Sequence, residues 1–260
     1  MIDIGINLAS ETFNHDREQV VADAKSAGVE FIIVTGSCPT SNEFARTFAH
    51  QHANFARGTV GIHPHHADSV TSSTLQDIKS QAQDSMVVAL GETGLDFCRN
   101  RSTPQKQEWA FEQHLEIAAE LQLPLFLHQR DAHERFLPLI KAYRNHISKA
   151  VVHCFTDSRQ ALFDYLDLDL HIGITGWVAD ERRGTHLLPL LASIPTDRLM
   201  IETDGPYLLP RNIQPKPKSR RNEPKYLPFV VQKIAQTLKT SDQVIAEQTS
   251  KTARAFFNLP

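Results

Sequence analysis

The chain has 260 residues, 41% hydrophobic and 22% charged, with a formal net charge of −3. The length suits one large α/β domain spanning 1–260, since a (β/α)8 barrel takes roughly 250 residues. The charge excludes a global basic field for nucleic acid, so any polyanion must be met by a local patch.

Short apolar runs recur along the chain at 2–6, 31–34, 59–62, 86–90, 125–127, 150–152, 170–174 and 199–201. Most are continuous and rich in β-branched residues, as strands buried on both faces of a parallel sheet are. Helical patterns lie between them. Residues 15–27 place Val20, Val21, Ala24 and Ala27 on one side, and Gly28 follows as a stop. Thr103-Pro104 reads as an N-cap and first helical residue of a helix that closes near Pro124. Residues 132–146, 158–166, 184–193, 225–238 and 242–257 are further predicted helices, with Asp131 as the cap of the first of these. The succession predicts an α/β fold, a (β/α)8 TIM barrel, with an open doubly wound sheet as the competing topology.

Cys38, Cys98 and Cys154 are few and scattered, so neither a disulfide framework nor a cysteine-type zinc site is expected. No apolar run approaches the ~18 residues of a membrane span, and Met1-Ile2-Asp3-Ile4-Gly5 lacks the features of a signal peptide. A cytoplasmic protein without membrane contact is the expectation.

In a barrel, catalytic groups come from the carboxyl ends of the strands. Here those ends carry His63, His65 and His66, then Glu92, then His128, Arg130 and Asp131, then His153, then Glu202 and Asp204. Each alone reads as a cap or a hydrogen-bonding residue. Clustered on one rim they are costly, because carboxylates and imidazoles lose hydration together. A divalent cation relieves that cost, so Glu92, His128, His153 and Asp204 are the predicted metal set. Glu92 and Asp204 are the catalytic carboxylates, with Asp204 as the candidate base for a water. The mixed nitrogen and oxygen donors by themselves favour Zn, Mn, Fe or Ni over Mg.

Gly61-Ile62-His63-Pro64-His65, Gly91-Glu92-Thr93-Gly94-Leu95-Asp96, His128-Gln129-Arg130-Asp131-Ala132, His153-Cys154-Phe155, Gly173-Ile174-Thr175-Gly176, Glu202-Thr203-Asp204-Gly205-Pro206-Tyr207-Leu208 and Arg221-Asn222-Glu223-Pro224 occur in this order. Together they resemble the TatD-type metal-dependent deoxyribonucleases of the amidohydrolase superfamily, over essentially the whole chain. The resemblance implies a (β/α)8 barrel and phosphodiester hydrolysis with 3′→5′ exonuclease action on single-stranded DNA and RNA. It implies Glu92 as a central, potentially bridging carboxylate, His128 and His153 as metal ligands, and Asp204 as ligand and base. His63 and His65 fall where the family contacts substrate phosphate. It also makes Mg the expected cofactor, ahead of Mn or Zn, and connects the activity with DNA repair.

One motif departs from the pattern. The wider family opens with Asp-x-His-x-His, whereas this chain reads Asp3-Ile4-Gly5-Ile6-Asn7. Gly5 offers no ligand and Asn7 only a neutral oxygen, so one firmly held metal is expected rather than a symmetric pair. Arg130 and Arg221 are expected on substrate phosphate, as guanidinium matches its geometry, and Arg182, Arg183 and Arg220 are further candidates. The run Lys216-Pro217-Lys218-Ser219-Arg220-Arg221 is the most basic stretch. Trp177 and Tyr207 read as packing residues that can also stack on bases. The expected protein is thus a monomeric metal-dependent exonuclease. A metal-dependent amide or ester hydrolase, acting for instance on an aminoacyl-nucleic-acid ester, and a non-catalytic binding protein are the alternatives.

Overall fold

The computed structural model describes all residues, Met1–Pro260. Strands β1 (Ile2–Ile6), β2 (Phe31–Val34), β3 (Ala56–Val60), β4 (Val87–Asp96), β5 (Leu125–Arg130), β6 (Ala150–Val152), β7 (His171–Ile174) and β8 (Leu199–Ile201) form one sheet in chain order. Pairings within it run parallel. The last strand is tied to the first. Asp204 N–H donates to Gly5 O and Asn7 N–H donates to Gly205 O, both at 2.8 Å. The fold class is therefore α/β with the strand order and closure of a (β/α)8 barrel, and the open doubly wound sheet is excluded.

The helices are α1 (Arg17–Ser26), α2 (Pro39–Gln51), α3 (Ser72–Gln81), α4 (Pro104–Leu121), α5 (His133–Tyr143), α6 (Arg159–Asp167), α7 (Leu227–Leu238) and α8 (Asp242–Phe257). None is long and apolar enough to cross a membrane. The expected helix over 184–193 is instead a 3-10 run, Thr185–Ser193, with Pro189 inside it. Pro189 brings no N–H and its ring crowds the preceding turn, so an α-helix does not propagate there. Asp131 does not cap α5. The N-cap is Ala132, with no side-chain cap bond, and Asp131 stands one residue earlier at φ 52°. Thr103 and Pro104 do open α4, but the Thr103 hydroxyl donates to Asp68 Oδ1 at 3.2 Å instead of capping. The proline at the first helical position, with φ already fixed, marks the start.

The chain divides into two compact units. One comprises Thr35–His153 and Arg159–His171; the other comprises Met1–Val34, Cys154–Ser158 and Ile172–Pro260. In the first, β4 and β5 run past the expected 86–90 and 125–127 segments, so Glu92 and His128 lie inside strands and not in loops. The cause is backbone proximity. A Cβ on Gly91 would stand 2.1 Å from Phe126 O, and one on Gly94 would stand 1.9 Å from His128 O. Both residues also hold positive φ, 142° and 139°. Only glycine fits there, and the pairing it allows sets Gly94 opposite His128 and Asp96 opposite Arg130. Replacing Gly94 by Ala is expected to cost several kcal/mol, because a strained φ adds to a backbone clash. A urea midpoint equal to wild type would contradict this.

Candidate metal centre

Side chains alternate along a strand, so Glu92, Gly94 and Asp96 share one face of β4. Gly94 between them leaves room for His128 from β5. His153 follows β6 directly, and His63 and His65 come from the loop after β3. All these residues belong to one unit.

Three imidazoles converge on one oxygen. Glu92 Oε1 lies 2.8 Å from His153 Nε2, 3.0 Å from His128 Nδ1 and 3.4 Å from His63 Nε2. The donor atoms of His63, Glu92 and His128 all fall within 4.8 Å of one another. Glu92 is 6% exposed and His153 4%. Burial pushes the Glu92 carboxyl up, but facing His63 and His153, with hydrogen bonds from His128 and His153, hold it well below the usual carboxylate range. Glu92 is thus an anion in a nearly dry pocket.

The imidazoles differ in state. Burial drives His63 well below its ordinary value, opposed by Glu92 and aided by the neighbouring histidines, so it is neutral. Its Nδ1 accepts the His65 backbone N–H at 3.0 Å. The proton of neutral His63 therefore sits on Nε2, which faces Glu92 as a donor. A nitrogen in that state suits a phosphate oxygen better than a metal ion. For His128 burial also disfavours charge, but hydrogen bonds to Asp96 and Glu92 raise it above its usual value.

Asp96 is the residue that sequence reasoning missed as a site member. Its Oδ2 accepts from His65 Nε2 at 2.9 Å and lies 3.3 Å from His128 Nε2. Its Oδ1 accepts Arg99 N–H at 2.9 Å. Burial would raise this carboxyl, yet His128, His65 and the Arg99 amide keep it below the usual range. The legible signal was the spacing on β4, which puts Asp96 on the Glu92 face. Asp96 fixes the His128 ring from outside, as carboxylates do for histidines that ligate metals. Asp96→Asn is expected to weaken metal binding about 10- to 100-fold. Calorimetric titration of wild type and variant with Mn would show it; identical affinities would not be compatible with this role.

A divalent cation fits this donor set. A buried carboxylate ringed by imidazoles is relieved by a centre that takes one oxygen and neutral ring nitrogens together. His128 has one nitrogen toward Glu92 and the other secured by Asp96. His153 directs Nε2 to the same oxygen.

The remaining predicted residues lie as follows. Arg130 is the half-buried last residue of β5. Asp204 belongs to the other unit, just after β8, at φ 54°. Asn7 Nδ2 donates to Asp204 Oδ1 at 2.9 Å. The asparagine in the place of a strand-one histidine thus orients Asp204. Beside it, Asp3 is fully buried and accepts from Thr203 N–H at 2.9 Å and the Thr203 hydroxyl at 2.5 Å. Burial pushes the Asp3 carboxyl up to about 7 against these donors. Arg221 is engaged within its own unit. It donates to Asp16 at 2.6 and 2.9 Å, to Glu223 at 3.0 Å and to Thr12 O at 2.6 Å, and its plane lies 5.0 Å from the Phe13 ring. These bonds tie its loop to residues 12–16. Trp177 is buried at 8% exposure, whereas Tyr207 is 60% exposed.

A family model described as TatD related DNase matches residues 2–258. A 3′-5′ ssDNA/RNA exonuclease TatD from Erwinia amylovora is 47% identical over 259 residues, with 100% of both chains covered. Its counterpart in Yersinia pseudotuberculosis is 50% identical over 259 residues, again with 100% of both covered. Among solved structures, a hydrolase TatD family protein from Entamoeba histolytica has a TM-score of 0.90 at 24% identity, covering 100% of this chain and 98% of that one. At that identity the likeness speaks for the fold alone.

Proposed function

The chain belongs to the TatD-related DNase family, and from that premise we propose that it is a divalent-metal-dependent 3′→5′ exonuclease of single-stranded DNA and RNA. The observation that carries this reading is the convergence of His128, His153 and His63 on Glu92 Oε1. A shared barrel would not suffice without such a centre, because fold alone does not imply chemistry.

Glu92, His128, His153 and Asp204 would hold the ion, and Mg is the assignment, with Mn and Zn as substitutes. Such an ion supplies charge stabilisation to phosphoryl oxygens and lowers the pKa of water. The chain's own groups do the rest. Asp204, held by Asn7, takes the proton of the attacking water. His63 presents Nε2–H to a non-bridging phosphate oxygen, and His65 and Arg130 supplement it. Asp96 keeps the His128 ring in place. The protein works as a cytoplasmic monomer in this reading.

EDTA is expected to abolish release of 3′-labelled nucleotides, and Mg or Mn to restore it. Titration should reveal one tight site, since strand β1 and the residue after it supply Gly5 and Asn7 where two histidines are possible. EDTA-resistant cleavage, or two tight sites in the free protein, would defeat this assignment.

A further inference from the structure

The unit that carries Asp204 also contains a cavity of about 450 Å³. The volume falls within the about 300–1,000 Å³ usual for small-ligand pockets. Leu208, Pro210 and Ile213 supply an apolar floor, and Arg182, Lys216 and Arg220 stand among its polar walls. Pro210 and Ile213 are buried, whereas the three cationic residues are exposed.

The electrostatics are one-sided. Arg182 and Arg183 both close on Asp180, with Nη2 to Oδ2 at 2.9 and 3.0 Å. Arg211 pairs with Glu181 at 2.8 Å. These pairs fix the arginines in place. Lys216 and Arg220 have no carboxylate partner, and Asp180 is the single acidic residue in the lining. A chain with a net charge of −3 therefore gathers a basic mouth over an apolar floor at this place. That pairing matches a nucleotide, which has an apolar base face and an anionic phosphate. Apolar contact of a base with such a floor is non-directional and so tolerant of sequence, and lysine and arginine take phosphate as a point charge and as a fork.

We propose that this cavity seats a second nucleotide of the bound single strand, distinct from the one being cleaved, with its phosphate on Lys216 and Arg220 and its base over Leu208, Pro210 and Ile213. The inference rests on the nuclease reading given above and extends it to a strand-holding subsite. The seat lies on the segment that leaves β8 through Asp204, so one loop carries both a candidate metal ligand and the strand-holding groups. It also gives Lys216 and Arg220 of the basic stretch a use that ion pairing inside the protein does not provide.

The test compares wild type with the double variant Lys216→Ala/Arg220→Ala on two substrates, a dinucleotide and a longer single strand. Both residues are exposed, so folding is preserved. The KM for the longer strand is expected to rise roughly tenfold, with kcat retained and dinucleotide cleavage unchanged. The logarithmic salt dependence of strand binding should flatten by about 0.7 for each phosphate that no longer meets a cationic side chain. An active wild type with an unaffected variant overturns the seat alone. Equal losses on both substrates also overturn it, since they would place these residues at the scissile phosphate. A wild type inactive on both substrates with Mg and Mn present would defeat the nuclease reading and the seat with it.

Discussion

Glu92→Gln is expected to slow nucleotide release from single-stranded DNA by about a thousandfold, the equivalent of about 4 kcal/mol of transition-state stabilisation. The substitution keeps shape but removes the charge on which His128, His153 and His63 converge. It also inserts an amide N–H₂ among imidazole nitrogens, a donor where the cluster needs an acceptor. The three histidines then lose the anion that organises them, and a cation loses the carboxylate that groups with His63 and His128. Single-turnover assays at saturating Mg, with circular dichroism as the control for folding, would measure the effect. A rate within tenfold of wild type would remove Glu92 from the centre of the mechanism.

The second large effect concerns stability in acid. His114 on α4 is fully buried, with 0% exposure. Its Nε2 accepts Ile62 N–H at 3.1 Å, so Nδ1 carries the proton and donates to Ala110 O at 2.6 Å. Both ring positions are used by the neutral form. Burial lowers the imidazole from its ordinary 6.5 to about 4, with the Ala110 carbonyl opposing. A folded value below the unfolded one means that the stabilisation is complete above pH 6.5 and is lost as pH falls toward about 4. The amount at stake is about 3 kcal/mol, at about 1.4 kcal/mol per unit. His114→Gln escapes this dependence. The stability difference between wild type and variant should therefore shrink by about 3 kcal/mol between pH 7 and pH 4 in urea unfolding. Parallel profiles would contradict it. The point bears on function as well, because Ile62 directly precedes His63, and a charged His114 could no longer accept the Ile62 amide.

Much of the fold is legible because the physics is local. Strands β2, β6 and β8 are short, continuously apolar and bounded by polar residues, and they lie where the pattern puts them. Helix α8 is equally clear, with a serine cap and buried Ile245, Ala253, Phe256 and Phe257 spaced for one face. Helix α2 is hard to read because its first turns, Pro39-Thr40-Ser41-Asn42, are polar, although Ala45, Phe48 and Ala49 carry the helical spacing. Helix α3 buries only Ile78 and has no apolar stripe to read. The ends of β4 and β5 are obscured because polar Glu92, Asp96 and His128 interrupt the apolar runs. Those strands continue only because glycines let two backbones approach, which is a tertiary effect.

The same division holds at the site. Glu92, His128 and His153 are identifiable as groups that follow the apolar runs, and the structure brings the two imidazoles onto one oxygen of Glu92. The donor role of His63 requires a tautomer, which is set by a backbone amide two residues along. Asp96 requires the face of β4. Arg221 pairs with Asp16 and Thr12, far away in sequence, and with nearby Glu223, an engagement that no local pattern reveals.

The most direct test of the central claim is a time course on single-stranded DNA labelled separately at each end, with Mg present. Metal-dependent 3′→5′ action predicts immediate release of the 3′ label as a mononucleotide, while the 5′ label passes down a ladder of shortening strands and circular single strands stay intact. Internal cutting of the circles at the same rate, or release of the 5′ label first, would contradict the account.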